Sequence, residues 1–122
     1  MSKPAARPRI AAGSAAALSN GDVRVVQLPR AISGIPREAL IVRDHGGVLR
    51  AYLNRCQHLP IPLDGGSRRF LSGDGRYLQC GTHGAHYRFD DGHCVRGPCL
   101  GTNLIALELE QLGDELHVRA PD

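Results

Sequence analysis

A chain of 122 residues, 22% charged and 42% hydrophobic, has the composition of one soluble globular domain and is too short for two separate cores. The formal net charge is only +3 and aromatics make up 4%, which argues against the dense basic, aromatic-interleaved stripe of a nucleic-acid binder. No run approaches the ~20 apolar residues needed to cross a bilayer, so no membrane partner is expected.

Residues 1–20 read as a flexible N-terminal arm, with Lys3, Arg7 and Arg9 preceding the first acid, Asp22. Its stretch "IAAGSAAAL" is too weakly apolar for the core of a signal peptide. A cytoplasmic location follows, where cysteines are metal ligands or thiols more often than disulfides. The domain proper is placed at residues 21–122.

Strand signals then dominate. "DVRVVQL" (22–28) is β-branched, and "EALIVRD" (38–44) and "VLRAYLN" (48–54) flank a His-Gly-Gly turn, the pattern of a hairpin. "RFLSGDGRYLQC" (69–80) reads as a second hairpin around Gly73-Asp74-Gly75. Toward the end, Ile105, Leu107 and Leu109 alternate with Ala106, Glu108 and Glu110. A Gly113-Asp114 turn follows, and then Leu116 and Val118 point inward while His117 and Arg119 point outward. No dozen residues hold a 3.6-residue apolar period. The expected class is all-β, built of short antiparallel strands.

The chemistry concentrates in two places. "NRCQHLPIPLDGG" (54–66) holds Cys56-x-His58, and "CGTHGAHYRFDDGHCVRGPC" (80–99) opens with Cys80-x-x-His83. Each place offers one thiolate and one imidazole close together, at the end of a strand-like run and before Gly- or Pro-rich sequence. Two such loops facing each other could hold a diiron pair, with two Cys on one iron and two His on the other. A tetrahedral zinc ion also accepts two Cys and two His, although a single residue between ligands is shorter than the usual zinc spacing. Gly65, Gly66, Gly81 and Gly84 would let backbone N–H groups approach anionic sulfur.

The combined pattern "CQH … CGTHGAHY … DGHCVRGPCLG" resembles a Rieske [2Fe–2S] domain, and the similarity runs from about Asp22 to Val118. It is carried by Cys56, His58, Cys80, His83, Gly84, Gly97 and Pro98. The resemblance implies a fold of three small antiparallel sheets with the cluster at one tip. Cys56 and Cys80 would then ligate the buried iron and His58 and His83 the outer one, with Gly84, Tyr87 and Pro98 around them. One [2Fe–2S] cluster storing one electron is implied, with ring N–H groups that tie the potential to pH.

High-potential members of the family carry an extra Cys in each ligand loop, forming a disulfide. Pro60 or Ile61 and Thr82 stand at the matching positions here, so that clamp is absent. Those members also place a Ser after the His-Gly pair and a Tyr two residues later, both donating to sulfur. Ala85 replaces the Ser and Tyr87 is retained. Donors to sulfur stabilise the reduced state, so the expected potential lies in the lower or middle part of about −150 to +300 mV.

Cys94 and Cys99 read either as a disulfide across "VRGP" or as two small buried thiols, and not as ligands. His45, His86, His93 and His117 read as solvated surface residues, and Asp90-Asp91 as turn residues. No two-His-one-carboxylate triad for oxygen activation is evident.

The resemblance therefore implies a monomeric, non-enzymatic one-electron carrier of the Rieske ferredoxin class. Its partners would be a reductase and an acceptor such as an oxygenase. The alternative is a small Rieske subunit of a multi-subunit oxidoreductase, like that of nitrite reductase.

Overall fold

The computed structural model describes residues 9–29, 37–55, 70–80 and 84–121. Nine strands are found among them: β1 (Arg9–Ser14), β2 (Val23–Gln27), β3 (Glu38–Arg43), β4 (Leu49–Leu53), β5 (Tyr77–Gln79), β6 (His86–Arg88), β7 (Cys94–Arg96), β8 (Leu109–Leu112) and β9 (Glu115–Arg119). They form three antiparallel three-stranded sheets ordered β2-β3-β4, β5-β6-β7 and β1-β9-β8. The class expected from the pattern is the class observed.

The β2-β3-β4 meander organises the rest because both of its faces are covered. Side chains alternate along a strand, so successive residues of β3 enter different cores. Leu40 and Val42 pack with Tyr52, Phe70, Leu78, Tyr87, Phe89 and Cys80. Ala39 and Ile41 pack on the other face with Ala12, Leu18, Leu53, Leu116 and Val118. This explains why "ALIV" is a continuous apolar run and not a half-polar alternation. All four residues are completely buried, and each large aliphatic among them contributes about 1.5–3 kcal/mol by leaving water.

Residues 9–20 do not behave as an arm. Arg9–Ser14 forms β1, pairing Arg9 with Arg119 and Ile10 with Val118. Two arginines of the meander hold this segment. Arg24 donates to the carbonyls of Ala12 (2.6 Å) and Ser14 (2.7 Å). Arg43 donates to those of Leu18 (2.6 Å), Ala15 (2.8 Å) and Gly47 (2.9 Å). Ala12, Ala15 and Leu18 are buried beneath them. The weak strand propensity of the Ala-rich stretch is overridden by these tertiary bonds. Residues 1–8 lie outside the described residues.

Two smaller expectations are also corrected. Ile105 was expected to share one face with Leu107 and Leu109, but it is 39% exposed while they are half-buried, and Leu104 fills the core. The cause is that residues 105–107 run along the edge of β4, through Leu53 N to Ile105 O and Leu107 N to Ala51 O. His117 was expected to be solvated, yet its side chain is only 13% exposed and its Nδ1 is buried. It sits on the central strand of its sheet, paired with Ala11 and Glu110, so neighbours on both sides shield its outward face.

Candidate metal centre

The first expected ligand loop leaves the meander at the end of β4. Asn54 is buried there and its Nδ2 donates to Glu38 Oε1 (3.1 Å), while its amide donates to the Glu38 carbonyl (2.8 Å). Gln27 Nε2 donates to the other oxygen of the same carboxylate. A buried polar group is tolerated only when bonded, so this network ties the exit of β4 to β3 and, through Gln27, to β2. Cys56 and His58 lie outside the described residues, as do Pro60, Ile61, Gly65 and Gly66.

The second loop is closed at its neck. The Cys80 amide donates to Ala85 O and the Gly84 amide donates to Cys80 O, each at 2.8 Å. Gly84 has φ +69°, a left-handed conformation that costs glycine little. The chain thus leaves β5 at Cys80 and is back in register at Ala85 and β6. Cys80 and Ala85 are completely buried. Gly81, Thr82 and His83 lie outside the described residues. Cys80 is therefore the one expected ligand whose surroundings are described: a thiol withdrawn from water at a bonded turn.

The Gly97-Pro98 segment lies directly on that turn. Gly97 has φ +98°, and a Cβ placed on it would come within 2.7 Å of Ala85 Cα and 3.1 Å of Ala85 N. Only a residue without a side chain allows this approach. Pro98 is exposed, and Leu100 N returns to Gly97 O (3.1 Å). The segment is shut at its base by Cys94 N to Thr102 O (2.7 Å) and Gly101 N to Cys94 O (3.1 Å). Tyr87, the retained aromatic, is completely buried in the core that also contains Cys80.

Cys94 and Cys99 are buried thiols with no disulfide between them. Cys94 Sγ donates to Arg96 O (3.2 Å). Of the other histidines expected at the surface, His45 is exposed while His86 and His93 are half-buried. His45 stacks on Phe89 (centroids 5.1 Å apart), His86 stacks on Tyr77 (5.6 Å), and His93 Nδ1 lies 2.9 Å from Asn103 Oδ1. Among the described residues, no three His, Cys, Asp or Glu gather into a metal-binding group, so these side chains form no second centre. Asp91 sits in the β6–β7 turn as expected, bonding His93 N (2.9 Å) and Arg88. The Arg88 bond holds its carboxyl below the usual carboxylate range, against the opposing effect of burial.

Sequence reasoning missed the braces. Asp44 is buried in the β3–β4 turn, accepting from Gly46 N (3.0 Å), Val48 N (2.9 Å) and Arg50 Nε (3.1 Å). Burial acts to raise its pKa, and the Val48 amide and Arg50 outweigh it to give a net lowering. Tyr52 OH donates to Phe89 O (2.7 Å), joining the meander to the β5-β6-β7 sheet, and burial pushes its phenol up to about 12. The Asp-His-Gly-Gly turn was the available signal for the first. Nothing local marked the second.

Comparison with known proteins agrees with this architecture. The oxygenase component of chloroacetanilide N-alkylformylase from Rhizorhabdus wittichii (strain DC-6 / KACC 16600) is 45% identical over 62 residues, covering 51% of this chain and 16% of that protein. The fold matches the terminal oxygenase of carbazole 1,9a-dioxygenase from Novosphingobium sp. KA1, at TM-score 0.71 and 20% identity over 96% of this chain and 31% of that one. It also matches the ferredoxin of carbazole 1,9a-dioxygenase from Nocardioides aromaticivorans IC177, at TM-score 0.63 and 22% identity over 91% of this chain and 96% of that one. A chain in a complex of reduced oxygenase and oxidised ferredoxin of carbazole 1,9a-dioxygenase matches at TM-score 0.68 and 21% identity, over 91% of this chain and 92% of that one. Among the described residues no helix is long and apolar enough to cross a membrane. Residues 10–112 match the family model of the Rieske [2Fe-2S] domain, and the chain belongs to that family, whose cofactor is a [2Fe–2S] cluster.

Proposed function

We propose that this chain is a one-electron carrier whose cluster is held by Cys56 and Cys80 on the inner iron and His58 and His83 on the outer iron. Gly84, Tyr87 and Pro98 lie around it. The cluster supplies storage of a single electron. The chain supplies burial and restraint. The observation that carries the reading is the buried Cys80 at a bonded neck, with Gly97 packed on Ala85 beside it. That arrangement suits a thiolate ligand kept from water and a short loop fixed in place. Imidazoles of the outer iron would form the edge through which the electron leaves.

In this reading the protein takes electrons from a reductase and delivers them to an acceptor such as an oxygenase, as a cytoplasmic monomer without catalytic residues of its own. The ferredoxin of similar fold, of which this chain spans nearly the whole length, supports it. The test is to mix reduced, cluster-loaded protein with candidate acceptors and follow both reoxidation and gel filtration. A carrier runs as a monomer, forms transient contacts below about 1,200 Å², and gives up one electron per chain. A complex that persists through gel filtration refutes the shuttle role.

A second reading is favoured by one observation, the 45% identity to an oxygenase component. There the same cluster would feed a mononuclear iron in a further domain of an oxygenase. Its mark would be a stable assembly in which oxygen consumption requires this chain.

A further inference from the structure

We infer that Thr102 is a positioning residue for electron storage: through the carbonyl of Cys99, its hydroxyl holds the Gly-Pro segment on the Cys80 turn and so sets the potential of the cluster. The inference rests on the proposed cluster position and adds a residue that governs it.

The segment grips the core narrowly. Of the residues from Arg96 to Asn103 only Cys99 is buried, at 3% exposure, and it belongs to the core that also contains Cys80, Ala85 and Tyr87. The other hold is Gly97, whose backbone lies close against Ala85. Whatever keeps Cys99 turned inward therefore keeps the segment down.

Thr102 does this with two bonds. Cys99 O accepts from the Thr102 hydroxyl (2.7 Å) and from the Thr102 amide (2.9 Å). Gly101, with φ +89°, supplies the left-handed residue that such a turn takes at its third position. Thr102 itself stands on fixed ground. Its carbonyl accepts from the amide of the fully buried Cys94 (2.7 Å), the adjoining Asn103 bridges to His93, and Leu104 N donates to Gly92 O (2.8 Å). The hydroxyl thus ties the middle of the segment to the edge of the β5-β6-β7 sheet. Because Thr102 is exposed, its side chain fills no core space, and the bond can be removed without a cavity.

The effect on potential follows from solvent access. A reduced cluster carries one more negative charge than an oxidised one, so water reaching it favours reduction and raises the potential. A segment held on the Cys80 turn keeps the potential down.

The experiment compares Thr102→Val, Thr102→Ser and Leu100→Ala as cluster-loaded proteins, by redox titration, bleaching in air and guanidinium denaturation. Thr102→Val keeps the amide bond and loses only the hydroxyl. It should load iron and sulfide normally, show a higher potential, and bleach roughly two- to tenfold faster, the open population gained on losing one hydrogen bond. Thr102→Ser restores the donor and should return both readings to native values. Leu100→Ala, which trims an exposed side chain of the same segment, should change neither. Should the valine variant fail to load, Thr102→Ala carries the same expectation. An unmoved potential in Thr102→Val, even with lowered stability, leaves Thr102 a merely structural residue and overturns the inference alone, as does an equal change in Thr102→Ser. Native protein purified without iron and sulfide refutes the cluster reading, and this inference with it.

Discussion

Replacing Gly97 by alanine tests the packing of the Gly-Pro segment directly. Two costs follow from its geometry. With φ at +98°, any residue bearing a Cβ is strained, at about 1–3 kcal/mol. The new Cβ also meets the Ala85 backbone at 2.7 Å, and backbone in a closed turn cannot swing aside as a long side chain can. Overpacking of that kind costs a further ~1–3 kcal/mol. The total is about 2–6 kcal/mol, a large part of the stability of a domain this size. Gly101 provides the internal control: its φ is +89°, but a Cβ there meets nothing within 4 Å. Gly101→Ala should therefore bear only the conformational part. Guanidinium denaturation of the cluster-loaded proteins, with cluster absorbance followed in parallel, measures both. Gly97→Ala should lose about 1–3 kcal/mol more than Gly101→Ala and bleach faster. Equal losses would refute the close contact between the Gly-Pro segment and the Cys80 turn.

Other consequences are equally direct. Asp44→Asn should cost about 1–3 kcal/mol near pH 7, because three donors lose an ionised acceptor. The Asp44 pKa is depressed on folding, so its contribution is present above the unfolded value near 3.8 and is lost as pH falls through the folded value. The gap between Asp44→Asn and the native protein in denaturation should therefore close in acid. Tyr52 is the opposite case, raised to about 12 by burial, so its contribution is complete below pH 10 and lost as pH approaches 12. Alkaline denaturation should be shallower in Tyr52→Phe over that window, and that variant should lose about 1–3 kcal/mol at pH 7 by orphaning Phe89 O. Ala85→Ser places a hydroxyl where donors to sulfur are expected, and a redox titration should show a higher potential; an unchanged potential would defeat the donor argument.

Local pattern was enough for much of the fold. Val23–Gln27, Glu38–Arg43 and Leu49–Leu53 carry β-branched or alternating residues around a glycine turn, and each is a strand within a residue or two of its expected bounds. The β1 segment escaped notice because Ala and Gly have little strand propensity, and the forces that order it come from Arg24 and Arg43, 10 to 28 residues away. His86–Arg88 and Cys94–Arg96 are too short to show a period, and their partners are set by the loops they carry. At the site, spacing marked Cys80 as a candidate ligand, and the family resemblance marked the Gly-Pro segment. The contact of Gly97 with Ala85 and the Glu38–Asn54 brace depend on distances across the fold that no local pattern encodes.

The central claim is that Cys56, His58, Cys80 and His83 hold a diiron cluster while Cys94 and Cys99 do not. Iron and acid-labile sulfide analysis, with EPR of the dithionite-reduced protein, tests it across Cys56→Ser, His83→Ala, Cys94→Ala and Cys99→Ala. The account predicts equal iron and sulfide and a reduced-cluster signal in the native protein and the last two variants, with loss of both in the first two. Retention of cluster in Cys56→Ser or His83→Ala, or its loss on removing Cys94 alone, would contradict it.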